Sequence, residues 1–385
     1  MEIKEEKILS KKVVFALLLS LCIIAAFFAY LYIDISQKLK ALSIESGIFS
    51  PASRSPQEIY DAAKDSVVLI ERRENTSRGM ITKSICSGFI YHDKKHIITV
   101  YSSVANADEI RVVFSNKTKV KAEILGFDEY SNIAVLNFTK DLTITQGPLY
   151  LGKSDWLHLE EKVHIVGKIC GTENLLVSGE VNGINVPYWL KDEFPLVDVI
   201  KFSARALSSE TLGAPLLNSK GEVIGMIIDL VDNGGNITTL GYAISSNMIK
   251  KIVSSIVKYG KYEHLWLEGI WGIDVTPEIA EVMDVNFTTG FLVTYVDLNV
   301  SSKLAYEEKL QAGNRTVIVD GRNVTIGGDI IVKIGDKEVN GMYDIVAYLE
   351  ENRKYSTVKL TVVRDGEILE KPIIWPVAAF HPPSD

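Results

Sequence analysis

Acid–base or nucleophilic chemistry in this sequence would have to come from six histidines, three cysteines and a few serines. His92 and His96 flank Asp93-Lys94-Lys95, which reads as a turn between two strands, a surface position away from any cleft. His158, His164, His264 and His381 are scattered, and each alone reads as an ordinary surface or core histidine. Ser208 and Ser209 share a loop with Glu210, but no histidine or lysine is evidently aimed at them. Cys22, Cys86 and Cys170 match no zinc spacing. No metal and no cofactor is expected. A second kind of chemistry is better marked. The Asn-x-Ser/Thr acceptor pattern for glycosylation occurs at Asn75, Asn116, Asn137, Asn236, Asn286, Asn299, Asn314 and Asn323.

Those acceptors need an exterior environment, and one segment can provide it. Val13–Ile33 is 21 residues without a charge, and a helix of that length spans about 30 Å, the hydrocarbon thickness of a bilayer. Lys4, Lys7, Lys11 and Lys12 precede it, whereas only Lys38 and Lys40 follow closely. The positive-inside rule then leaves residues 1–12 as a cytoplasmic tail, residues 13–35 as a single-pass anchor and the bulk of the chain outside the cell membrane. The run is long and ends in Tyr30-Leu31-Tyr32-Ile33, which suits an uncleaved anchor better than a cleaved signal peptide. Outside the cell a disulfide between Cys86 and Cys170 could persist, and two buried free thiols are the equal alternative. The 385 residues carry a net charge of −8, so no basic surplus points to nucleic acid.

The elements that must position any site follow from pattern. Residues 36–55 are polar and Ser-rich and read as a linker. Ser55-Pro56 opens a helix. From Ser66 onward short β runs follow one another at close spacing, the signature of an all-β sandwich or barrel. Asn218–Gly221 reads as a hairpin turn. Ser246–Tyr259 has helical apolar spacing and is stopped by Gly260. A second unit starts near Leu265, with a strand, a helix around Tyr343–Glu351 and two closing strands joined at Asp365-Gly366.

The β region resembles the HtrA (DegP-like) serine proteases over residues 56–260. The resemblance rests on Ser87-Gly88-Phe89-Ile90, Ile97-Ile98-Thr99, Ala107-Asp108-Glu109-Ile110, Gly126-Phe127-Asp128, Ile133-Ala134-Val135-Leu136, Gly213–Asn218 with Gly221–Gly225, and Gly241-Tyr242-Ala243-Ile244. It implies a mainly β fold, a trypsin-like double β-barrel followed by a PDZ domain. It also implies a Ser-His-Asp triad, in which a base takes the nucleophile's proton and a carboxylate orients the base. The matching positions here hold Ser102, Asn132 and Leu212, and Glu210 replaces the glycine that shapes the oxyanion hole. None of the three can perform its family role, so no catalytic group is intact. By the same resemblance Cys86 and Cys170 both border the oxyanion loop, which is where a disulfide would form.

Residues 265–377 resemble an HtrA-type PDZ domain, with 378–385 as a tail. The matching segments are Trp266–Ile270, Asp274–Ala280 and Gly327–Val339, with residues 311–326 as a hairpin inserted before the last and turning near Asp320-Gly321. The resemblance implies that Leu267, Glu268, Gly269 and Ile270 form the loop that receives a peptide's terminal carboxylate, and Glu268 departs from the apolar residue usual there. The expectation is a membrane-anchored, extracytoplasmic pseudoprotease that binds extended or unfolded polypeptide, or that regulates or scaffolds a membrane or cell-surface partner. It could do so as a homotrimer or by co-assembly with an active relative. An active endopeptidase with a rebuilt site and a structural subunit of a cell-surface complex are the alternatives.

Overall fold

A computed structural model describes residues 53–139, 146–169, 173–190, 194–231, 238–264, 267, 269–297, 310–353 and 357–374. The apolar run 13–33, Cys22, Cys170, Asn236, Glu268, Asn299 and His381 lie outside the described residues. Among the described residues no helix is long and apolar enough to cross a membrane.

Ser55 caps the first described helix, α1 (Pro56–Ala63), through a capping box with Glu58. Two closed six-stranded barrels follow. The first comprises β1 (Val67–Thr76), β2 (Gly79–Ile90), β3 (Ile97–Val100), β4 (Glu109–Val113), β5 (Lys119–Asp128) and β6 (Ile133–Phe138), in the order β1-β2-β3-β6-β5-β4. The second comprises β7 (Lys162–Ile169), β8 (Glu173–Tyr188), β9 (Leu196–Leu207), β10 (Pro215–Leu217), β11 (Val223–Leu230) and β12 (Thr238–Ser245), in the order β10-β11-β12-β9-β8-β7. Closure removes sheet edges, so all strands can bury one face in an interior. Phe89, Ile97, Ile98, Ile133 and Leu136 belong to the core cluster built around the first barrel, and Phe202, Leu216 and Ile227 to that of the second.

The helix expected from apolar spacing forms as α2 (Ser246–Tyr259). The Ser245 hydroxyl accepts the Met248 N–H at its start, and Gly260 ends it in the left-handed conformation at φ 78°. Its buried stripe of Met248, Ile249, Ile252, Val253 and Ile256 joins the core that also contains the first barrel. Gly126 of β5 must be glycine for this contact, because a Cβ there would lie 2.6 Å from the Gly260 carbonyl oxygen. The end of α2 is thereby fixed beside the end of β5, and the segment after it starts next to Asp128.

Among the described residues the C-terminal unit is a sheet with two helices. Its strands β13 (Ile270–Asp274), β14 (Phe291–Val296), β17 (Ile330–Ile334), β19 (Thr357–Arg364) and β20 (Glu367–Ile374) lie in that order, and β18 (Lys337–Glu338) pairs with β17. Strands β15 (Arg315–Val319) and β16 (Arg322–Ile326) form the separate hairpin expected at 311–326. Its turn at Asp320-Gly321 and that of β19–β20 at Asp365-Gly366 both use two successive positive φ angles, the primed turn that matches strand twist. The described helices of the unit are α3 (Pro277–Met283) and α4 (Met342–Glu351). Asp329, fully buried, takes a two-pronged contact from Arg364 and the Gln311 N–H, which locks β17 to β19. Val346 of α4 sits in the same core cluster as the first barrel and α2, so the unit is packed onto the barrels rather than strung beside them.

Candidate functional site

Ser87, near the end of β2, organises the loop that follows β9. Its hydroxyl donates to the Glu210 carbonyl at 2.8 Å, and its N–H donates to the Leu212 carbonyl at 2.9 Å. The Lys168 N–H donates back to the Ser87 hydroxyl at 2.9 Å, and the Thr99 hydroxyl donates to the Ser87 carbonyl at 2.7 Å. One serine therefore ties β3 of the first barrel, β7 of the second and the 208–213 loop into one frame. Gly213 closes the loop at φ 80°, where a Cβ would stand 2.2 Å from the Ser87 carbonyl oxygen. Only glycine fits there.

The second half of the site comes from Asn132, in the turn between β5 and β6. It adopts φ 58°, which asparagine tolerates better than most residues. Its Oδ1 accepts the Ser102 N–H at 2.7 Å, and its Nδ2 donates to the Ile228 carbonyl of β11 at 3.1 Å. The neighbouring Ile227 carbonyl accepts the Gly213 N–H at 2.8 Å. Ser102, Asn132 and Leu212 are thus brought together through adjacent carbonyls of β11, across the junction of the two barrels. Of the three, the Ser102 hydroxyl is exposed, Asn132 is buried and Leu212 is half-buried.

The chemistry available there is small. A triad needs a nucleophile, a base and a carboxylate at these points, and the groups present are a methyl-ended side chain, a hydroxyl and an amide. The residues 209–211 form a single 3-10 turn in which the Thr211 N–H donates to the Ser208 carbonyl and the Leu212 N–H to the Ser209 carbonyl. The N–H at the nucleophile position, one of the two donors of an oxyanion hole in this geometry, is turned into the loop. Among the described residues no histidine, lysine or aspartate side chain is hydrogen-bonded to the hydroxyl of Ser102, Ser208 or Ser209.

The histidines are used elsewhere. His96 pairs with Asp93 inside the expected turn at 2.6 Å, and His92 and His158 are exposed. His164 is buried against the Ser178 hydroxyl, and burial holds its pKa down, so it is a neutral core residue. His264, read from sequence as ordinary, is not. It is buried between Asp128 at 2.9 Å and Glu350 at 2.8 Å, on opposite ring nitrogens. Sequence reasoning missed this cluster because its members lie 136 and 86 residues apart.

Of the two cysteines weighed for a bridge, the described one, Cys86, is a free, buried thiol, 3.4 Å from the Thr99 hydroxyl. Burial pushes its pKa up to about 11, so it is neither a thiolate nucleophile nor easily oxidised. In the C-terminal unit Leu267 and Ile270 are buried, and Gly269 takes φ 74°. The Ile270 N–H donates to the Leu267 carbonyl at 3.0 Å, and the Asp297 N–H to the Gly269 carbonyl at 2.7 Å. Strand β13 is the outer strand of its sheet. The six described acceptor asparagines, Asn75, Asn116, Asn137, Asn286, Asn314 and Asn323, are all exposed.

Comparison with known proteins agrees with this architecture. The family profile "Trypsin-like peptidase domain" matches residues 86–226. "Protease Do-like 1, chloroplastic" of Arabidopsis thaliana is 27% identical over 292 residues, covering 74% of this chain and 62% of that protein. A "Probable periplasmic serine endoprotease DegP-like" of Pseudomonas putida is 25% identical over 342 residues, 88% of this chain and 66% of that protein. The chain spans 62%, 56% and 52% of the length of three of the curated relatives it matches. Among solved structures, the HtrA-type protease AlgW with a decapeptide superposes with a TM-score of 0.66 at 19% identity, covering 83% of this chain and 98% of that one. The paired six-stranded barrels and the loop frame between them therefore have the trypsin-like double-barrel fold, as in the solved HtrA-type proteases that the chain resembles.

Proposed function

We propose that the chain is an HtrA-type pseudoprotease, anchored in a membrane by residues 13–35, whose barrels and PDZ-like C-terminal unit bind extended polypeptide on the outer side. The observation that carries this reading is the geometry around Asn132. The frame that would align a triad is intact, yet it holds Ser102, Asn132 and Leu212. Loss of all three triad groups costs on the order of 10⁶ in rate. The half-buried Glu210 adds a carboxylate beside the point where an oxyanion would have to form. The relatives' names place them among serine endoproteases, some of them periplasmic, which supports an extracytoplasmic setting for this chain. The AlgW structures carry peptides, which supports a peptide ligand.

The test is casein turnover and labelling by a serine-directed phosphonate, with an active HtrA protease as positive control. The expected result is neither turnover nor label. Turnover that survives exhaustive purification and disappears in Ser208→Ala or Ser209→Ala would establish a rebuilt active site instead.

A further inference from the structure

His264 lies in the segment that leads from α2 into the C-terminal unit, and it is 5% exposed. Its Nε2 meets Asp128 at the end of β5, and its Nδ1 meets Glu350 of α4. An ionised carboxylate can only accept, so both ring nitrogens must donate to these two, and an imidazole donates from both only as the cation. A neutral ring would turn one lone pair onto a carboxylate oxygen, acceptor against acceptor, in a buried site. Glu350, 2% exposed, also accepts from the Tyr262 hydroxyl at 2.7 Å and from Arg353 at 2.8 Å. The cluster of Asp128, Glu350, His264 and Arg353 is neutral only with His264 charged.

We propose that His264 is a proton-dependent latch: as an imidazolium it clamps the C-terminal unit to the first barrel, and loss of its proton releases that unit.

The groups facing His264 come from every neighbouring element. Asp128 and the ring of Tyr130 at 4.9 Å come from the end of β5 and its turn. Tyr262 at 4.8 Å comes from the linker, where the Glu263 carbonyl takes Arg353. Glu350 and Arg353 come from α4 and its end, and Lys251 of α2 reaches the Glu350 carbonyl at 3.5 Å. Burial opposes the charged ring, but its hydrogen bonds to the two carboxylates outweigh burial and hold its pKa up at about 9. Burial likewise opposes ionised Glu350, and His264 and Arg353 pull it down to about 2. For a raised histidine the stabilisation is full below the unfolded pKa of about 6.5 and is lost as pH rises through the folded value. The latch should therefore open on the alkaline side. Its two ends reach further: Asp128 also accepts the Ser131 N–H at 3.1 Å, next to Asn132, and the Met342 N–H that starts α4 donates to Asp274 of β13 at 2.7 Å. Opening would loosen both sites at once.

The test measures the separation of the two parts by pulsed electron resonance in the full chain held in detergent micelles. Nitroxides go on Glu123→Cys and Lys359→Cys, both exposed, with Cys22→Ser and Cys170→Ser and with Cys86 left buried. The expected result is a single narrow distance at pH 7 and a longer, broad component that grows with a midpoint near the value of about 9. Glu350→Gln should move the midpoint down by about one pH unit or more, since a carboxylate that favours the cation is gone. His264→Gln should give the broad distribution already at pH 7. A narrow distance that persists in the wild type to pH about 10.5, well beyond the ordinary histidine range, or a narrow distance in His264→Gln, overturns the proposal. Far-UV circular dichroism reports that the sheets persist at each pH, and if a variant loses them the wild-type titration decides alone.

Discussion

Asn132 uses both ends of its amide, Oδ1 for the Ser102 N–H and Nδ2 for the Ile228 carbonyl. That division makes the site hard to convert back to catalysis. An aspartate at 132 keeps the first bond, but it turns a carboxylate oxygen onto the Ile228 carbonyl in a buried position. Leaving a buried acceptor against an acceptor costs about 1–3 kcal/mol. Asn132→Asp should therefore lower thermal stability measurably, although it restores a carboxylate to the triad position. The combination Ser102→His, Asn132→Asp and Leu212→Ser should still show no casein turnover. Its new nucleophile would lack an open oxyanion site while Glu210 is present and the 212 N–H donates to the Ser209 carbonyl. Adding Glu210→Gly should give a partial gain, read as slow phosphonate labelling. Turnover in the triple variant at a rate near that of an active HtrA protease would show that the loop opens without help from position 210.

At the scale of elements, β13 is the outer strand of its sheet among the described residues, and the proposed function has an extended peptide add along that edge as a further strand. The loop before it is less suited to a terminal carboxylate, because the Ile270 N–H is spent on the Leu267 carbonyl. Calorimetry with an extended apolar peptide as free acid and as C-terminal amide should give dissociation constants within about tenfold, or roughly 1.4 kcal/mol, of each other. A preference for the free acid of a hundredfold or more would mean that the loop rearranges to receive the carboxylate. Elements like these were largely legible in the sequence where their causes are local. Ser55 and Ser245 cap helices, Gly260 ends one, and Asp320-Gly321 and Asp365-Gly366 close hairpins, and each depends only on neighbours in the chain. The candidate triad positions were legible for the same reason, since each sits in a short recognisable stretch. Two things were not: the use of Ser87 as the bolt between barrels, and the His264 cluster. Both join segments remote in sequence, 123 residues apart for Ser87 and Glu210 and 136 for His264 and Asp128, and a lone serine or histidine has no local pattern that announces its partner. The free Cys86 thiol is a third such case, since the sequence alone could not decide between a bridge and a buried thiol.

At the scale of the whole molecule, the six described acceptor asparagines all lie at the surface. Asn75, Asn116 and Asn137 are exposed on the first barrel, and Asn286, Asn314 and Asn323 on the C-terminal unit. None of the six supports the fold through a buried side chain, so glycans there would meet no packing penalty. Asn116 uses its side chain only to accept the Thr118 N–H of its own turn, the local bond typical of an Asx turn. If the apolar run Val13–Ile33 anchors the chain with its lysines inside, all of these sites face the compartment where such acceptors are used. The two ideas are then tested together on native material. Intact-mass measurement should exceed the polypeptide value of 42.7 kDa and fall towards it after enzymatic removal of N-glycans. Added protease should degrade residues 36–385 on intact cells, with a fragment of the anchor left in the membrane. A bare mass with external cleavage would keep the orientation and discard the glycans. A bare mass with complete protection, while a surface control is cut, would place the barrels on the other side of the membrane and remove the exterior setting that the peptide-binding reading assumes.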